Sequence, residues 1–251
     1  MKQNWPKRIW IVRHGESAGN VARDAADLAG DARIEIVGRD VDVPLSPLGQ
    51  QQSEALAAWF GALSEQPDVI VASPYIRASS TAETIARQLT ARPGLIVGTD
   101  ERLREKEFGI LDGLTRRGIE ELYPDQADFR RILGKFYHRP PAGESWCDVI
   151  LRLRSMLDTI SLHYADRCVL IVAHQVVVLC MRYIIESLTE EEILEIDRQG
   201  DVSNCSVTEY VAGPDMKVGG GLVLARYNFV APLVKAGAPV TAQKDANVAA
   251  R

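Results

Sequence analysis

No two cysteines of this chain stand close enough to form a metal knuckle or a redox pair. Cys147, Cys168, Cys180 and Cys205 are widely spaced, with no C-x-x-C among them. That excludes zinc-type spacing and a disulfide framework, and Cys168 and Cys180, set in apolar runs, read as buried free thiols. Missing too is any uninterrupted apolar run of ~18 residues, the length that suggests a membrane span. Residues 1–8 are polar and hold no apolar signal core, so a cytoplasmic location is expected. Positive charge is not in excess: 29 Lys and Arg against 34 Asp and Glu leave a net −5. Neither nucleic acid nor an anionic membrane is then expected as the main partner, and any attraction for anions has to be local. Histidine is scarce, at four residues, and there is no internal repeat.

What is present is ordinary globular material, 46% apolar and 25% charged over 251 residues. This suits one large domain with room for an inserted cap. The chain opens on an apolar run, 9–12, that ends in Arg13-His14-Gly15. A helix over 16–30 follows, with Val21, Ala25 and Leu28 on one face, then a charged excursion over 31–43 of the kind that lines sites. Ser46-Pro47 starts a helix to about 64 that buries Leu48, Ala55, Trp59, Phe60 and Leu63. A second strand, 69–72, runs into Ser73-Pro74, which has the pattern of a helix start, with Arg77 a turn further on. A short third strand falls at 95–97. Residues 115–139 are charge-rich, helical in pieces and broken at Pro124; with their flanks, 110–144, they read as a cap outside the sheet.

The clearest amphipathic helix starts at Ser145, with Asp148 in an acidic variant of the capping box, and runs to about 164. Trp146, Val149, Ile150, Leu153, Met156, Leu157 and Ile160 recur in it at steps of three and four. A continuous apolar strand, 168–173, ends at His174; helices over 176–187 and 189–198 and a closing pair of strands, 206–211 and 221–227, complete a domain spanning 1–229. From 230 the composition loses all periodicity, and a mobile tail is expected.

Position carries the functional reading. Three central strands end at Arg13-His14, at Ser73-Pro74 with Arg77 beyond, and at His174. In a parallel sheet these carboxyl ends lie on one edge, where ligands bind and helix N-termini favour anions. Two guanidinium groups and two imidazoles would meet there, a set suited to a phosphate dianion. Two histidines with no obvious carboxylate fall short of a catalytic zinc set, so neither metal nor cofactor is expected. His138 reads as a loop residue and His163 as the polar edge of its helix.

Five motifs in order resemble the histidine phosphatase superfamily, the branch containing cofactor-dependent phosphoglycerate mutase. They are Arg13-His14-Gly15-Glu16 with Asn20; Ser73-Pro74 with Arg77 and Thr81-Ala82; Leu103-x-Glu105 with Phe108-Gly109; Gly143-Glu144-Ser145; and Val172-Ala173-His174. The resemblance covers roughly 9–227. It implies a three-layer α/β/α fold with a mostly parallel sheet and a helical cap. By it His14 would be the nucleophile that becomes phosphohistidine, Arg13, Arg77 and His174 would bind the phosphoryl oxygens with a further contact from Asn20, and Glu105, rather than Glu107, would be the general acid. Gln175 follows His174 where many members have Gly, and there the chain is similar to the phosphatase half of the bifunctional fructose-2,6-bisphosphate enzymes.

The expected activity is metal-independent hydrolysis of a phosphate monoester, with a phosphorylated small molecule as partner. A bisphosphoglycerate-dependent mutase would share the nucleophile and would need groups for a carboxylate, for which Arg33, Arg39, Arg116 and Arg117 are available. A silent phosphate-binding protein would keep the pocket without needing the acid. A homodimer through an edge strand or the closing hairpin is the oligomer the sequence allows.

Overall fold

A computed structural model describes residues 4–89, 94–213 and 221–242. Six strands form one sheet: β1 (Arg8–Arg13), β2 (Val69–Ala72), β3 (Val97–Thr99), β4 (Cys168–Ala173), β5 (Val207–Ala212) and β6 (Leu222–Phe229), in the order β3-β2-β4-β1-β5-β6. The first four in that order run parallel; β5 lies antiparallel to β1, and β6 pairs with β5 as the expected hairpin. β4 is buried along its whole length, as its unbroken apolar run requires for a central strand covered on both faces.

Side chains alternate between the faces of a strand. Ile9 and Ile11, Val169 and Ile171 therefore face one core, and Trp10 and Val12, Leu170 and Val172 the other. The first core is closed by α6 (Trp146–His163), α7 (Gln175–Ile185) and Ile193 of α8 (Glu190–Gln199). The second is closed by α2 (Pro47–Gly61), α3 (Ile76–Gln88) and Leu233 of α9 (Ala231–Ala236). The three-layer α/β/α expectation is met. All seven apolar positions expected on the long helix are buried, and Ser145 caps it in a box with Asp148. Between β3 and α6, α4 (Arg116–Leu122) and α5 (Pro124–Tyr137) gather around a small cluster of Leu111, Leu114 and Ile119. No helix among the described residues is long and apolar enough to cross a membrane.

Several expectations need correction. The first helix, α1 (Ala18–Ala29), leaves Val21, Ala25 and Leu28 exposed; it buries Asn20 and Ala26 instead. Of the residues expected to be buried on α2, only Phe60 is fully so; Leu48, Ala55, Trp59 and Leu63 are half-buried, because Gln52, Ser53, Leu56 and Ala57 take the inward positions. β3 starts two residues later than expected. His138 lies in the loop after α5, as expected, and its side chain is buried there. Beyond 230, where no structure was expected, α9 docks on α2 and residues 239–241 lie across Gln52 and Asn204; residues 243–251 of that tail lie outside the described residues.

Candidate active site

The first site loop continues the ladder of β1. The His14 amide donates to Ala173 O at 3.0 Å, after which the chain turns away through Gly15 into α1, capped by Ser17 and Asn20. Gly15 is required by a close approach: a Cβ there would lie 2.5 Å from Gly49 O at the start of α2. The tip of β4 supplies His174, which occupies the N-cap position of α7 without a capping side chain. The tip of β2 supplies Ser73, and α3 presents Arg77. Ser73 does not cap that helix. Tyr75 holds the N-cap position, and the Ser73 hydroxyl lies 2.8 Å from His174 Nε2. Sequence grammar misassigned it because the serine is used across the sheet rather than along the chain.

The two imidazoles meet edge to face, with ring centroids 5.0 Å apart, and both are buried. His14 Nδ1 lies 2.6 Å from Gly15 O. A carbonyl only accepts, so Nδ1 carries the proton and Nε2 keeps its lone pair. Arg77 Nε donates to that Nε2 at 3.3 Å, while its two terminal nitrogens grip the Asp40 carboxylate at 3.0 and 3.1 Å. Arg13 is buried beside them and donates to Val202 O. His174 Nδ1 is buried with no hydrogen-bond partner among the described residues, a state that usually signals an absent ligand or water. Burial, then Arg77 and other neighbouring positive charge, hold both imidazoles well below their ordinary pKa, so both are neutral at pH 7.

Above these groups lies a cavity of about 300 Å³, lined by Arg13, His14, Asn20, Arg77 and Glu105 and, further out, by Ile34, Ile36 and Asp40 of the excursion. The Asn20 side-chain oxygen accepts from Ser17 in the capping box, leaving its amide nitrogen as the part able to meet an anion. Glu105 faces the cavity; Glu107 instead accepts from the Tyr75 hydroxyl at 3.0 Å and is not part of the wall. Glu144 acts from behind. Its carboxylate binds Arg104 at 2.9 Å, Arg152 at 2.9 Å and the Glu107 amide at 3.1 Å, and so holds the 104–107 loop in place. Burial pushes the Glu144 pKa up, but Arg152 and its other partners bring it below the ordinary carboxylate value, so it stays charged.

The structure thus brings together Arg13, His14, Asn20, Arg77, Glu105 and His174. It does not bring in Arg33, Arg39, Arg116 or Arg117, none of which lines the cavity; the last three pair with Asp42, Glu120 and Glu121. Residues missed from sequence are Arg23, Asp40 and Asp112, all on the wall. Arg23 stands three after Asn20, hence on the same helix face; that spacing was its one available signal. Among the described residues no group of three or more His, Cys, Asp or Glu side chains is placed to hold a metal ion.

Comparison with known proteins agrees with this picture. Residues 9–218 match the histidine phosphatase superfamily (branch 1). A Caenorhabditis elegans 6-phosphofructo-2-kinase/fructose-2,6-bisphosphatase is 33% identical over 70% of this chain, and a probable phosphoglycerate mutase, GpmB, of Yersinia enterocolitica is 30% identical over 80% of it. The match takes in 33% of the nematode protein and 46% of an Arabidopsis thaliana phosphoglycerate mutase-like protein, AT74, but 83% of GpmB. Among solved structures, a mycobacterial glucosyl-3-phosphoglycerate phosphatase superposes with a TM-score of 0.66 at 25% identity, over 89% of this chain and 99% of that one.

Proposed function

The chain belongs to the histidine phosphatase superfamily, and on that footing we propose that it hydrolyses a phosphate monoester through a phosphohistidine on His14, without a metal. The observation that carries this is the state of His14: neutral, with Nδ1–H fixed by a carbonyl and Nε2 held by Arg77 at the floor of a cavity walled by Arg13, Arg23 and Arg77. Nε2 attacks phosphorus as the ester oxygen departs, and Glu105 donates the proton that oxygen needs. Water then attacks the phosphorus, Glu105 takes the proton back, phosphate leaves and the Nε2 lone pair returns. Arg13, Arg77 and Asn20 hold the equatorial oxygens, where charge stabilisation does most of the work in phosphoryl transfer. An oxygen of the bound group also gives His174 Nδ1 the partner it lacks.

The test is turnover of para-nitrophenyl phosphate in EDTA by the wild type and by His14→Ala, with acid-labile phosphoprotein trapped in the first. Turnover that persists in the variant, or stops with EDTA, overturns the reading. The relation to GpmB supports a second reading, a mutase. Incubation with 3-phosphoglycerate and 2,3-bisphosphoglycerate separates them: phosphate release marks the hydrolase, 2-phosphoglycerate the mutase. A silent phosphate-binding role is disfavoured by Glu105 on the cavity wall, since binding alone has no use for an acid there.

A further inference from the structure

Arg23 is a half-buried arginine that forms no hydrogen bond or ion pair within 4 Å among the described residues, unlike Arg13 and Arg77. Partners are at hand. Asp27, one turn on, offers the i,i+4 pairing that Arg116 and Arg117 take with Glu120 and Glu121, yet Arg23 does not take it. Its side chain instead lines the candidate active-site cavity and a smaller one next to it, under α4 and α5, and the two cavities share Arg23, Phe108 and Asp112 as their common wall. The smaller cavity carries net positive charge: Lys106 and Arg130 line it with Arg23, Asp112 is its one acid, and His138 adds a neutral imidazole. Lys106 and His138 are buried.

Arg23 acts on the Asp24 and Asp112 carboxylates only from beyond ion-pair distance, and a guanidinium fork at a cavity wall whose donors meet no protein acceptor is suited to a carboxylate or phosphate brought by the ligand. Asn20 and Arg23 lie three residues apart on α1, about 4.5 Å along the axis. Ile34, Ile36 and Phe108 provide apolar wall in the same cavity, suited to the carbon skeleton between two charged ends. We propose that Arg23 receives a second anionic group, so that the substrate class is a phosphate monoester carrying another carboxylate or phosphate a few bonds from the scissile phosphoryl. This deepens the phosphatase reading and rests on it for the chemistry, though not for the binding.

The experiment compares Arg23→Gln and Arg23→Lys with the wild type on three substrates: para-nitrophenyl phosphate, 3-phosphoglycerate and a sugar bisphosphate. For at least one two-anion substrate, Arg23→Gln should lose about ten- to a hundredfold more kcat/KM than it loses on the single-anion ester, mainly through KM, with partial rescue by Arg23→Lys. A preference of that loss for the carboxylate or for the bisphosphate identifies the second group. Equal losses on all three substrates, or none, overturn the proposal. Calorimetric binding of 3-phosphonopropionate against methylphosphonate, wild type against Arg23→Gln, reads the same discrimination without turnover. A protein that shows the discrimination but hydrolyses nothing sinks the phosphatase reading and leaves Arg23 standing; hydrolysis without discrimination does the reverse.

Discussion

Arg77 is the most heavily used side chain of the site, and it is not idle without substrate. It is buried, whereas the Asp40 carboxylate it holds is 41% exposed in the charged 31–43 excursion. In the proposed reaction a phosphoryl group takes the same fork, so the two anions would compete. Asp40→Asn should strengthen competitive inhibition by inorganic phosphate up to about fivefold, the scale of a partly exposed ion pair; an unchanged inhibition constant would show that the carboxylate yields at no cost. The imidazoles give a pH prediction. His14 and His174 are held below 6.5, and burial followed by Arg130 and Lys106 takes His138 down to about 4. As pH falls below 6.5 the unfolded chain takes up protons before the folded one, so stability falls with acid. The urea midpoint should therefore decline from pH 7 to pH 5, and decline less steeply in His138→Gln. At this scale the sequence was legible where a side chain ends a strand, as with Arg13, His14 and His174. It was silent on Arg23 and Asp40, whose meaning depends on how a helix and a loop are laid over that strand edge.

Elements explain why. α1 was misread because its apolar residues mark the usual core face of a surface helix, whereas this helix covers the cavity and turns Asn20 and Arg23 toward it. β4 and α6 were legible because each packs against the sheet's own core, where apolar spacing and burial coincide. Two elements also set the site by contact. A Cβ on Gly49 would lie 1.9 Å from Glu16 O, so α2 and the His14 loop touch backbone to backbone. Gly49→Ala should cost about 1–3 kcal/mol of stability, the scale of overpacking, and lower kcat as well, read by urea unfolding and steady-state turnover. Glu144 is the matching clamp at the head of α6. Its removal leaves the half-buried Arg152 with only the Arg102 and Glu105 carbonyls, and Glu144→Ala should cost about 3 kcal/mol in the same unfolding measurement, the low end for breaking a buried pair.

At the scale of the whole molecule, the family match ends at residue 218, but the support of the His14 loop does not. Thr241 O accepts from the Asn204 amide at 2.8 Å, and the Thr241 hydroxyl donates to Asn204 Oδ1 at 3.1 Å. Asn204 in turn donates to His14 O at 3.1 Å. Gln52 makes a parallel link: its amide nitrogen reaches Pro239 O and Thr241 Oγ1, each at 2.9 Å, and its oxygen receives the Glu16 amide at 2.9 Å. Thr241→Val keeps the volume and removes the hydroxyl. It should lower kcat about two- to tenfold through displacement of the His14 loop, with Thr241→Ser restoring it; full activity in the valine variant would show the strap to be bystander packing. None of this was legible beyond residue 230, because a strap fixed by backbone carbonyls and one hydroxyl has no apolar period.

The strap also bears on how the protein should be handled. Thr241 is bonded through both its carbonyl and its hydroxyl to Asn204, which holds the carbonyl of His14, so a fluorophore or crosslinker attached at position 241 acts on the His14 loop. Assays run on a protein labelled there would report the label as well as the site.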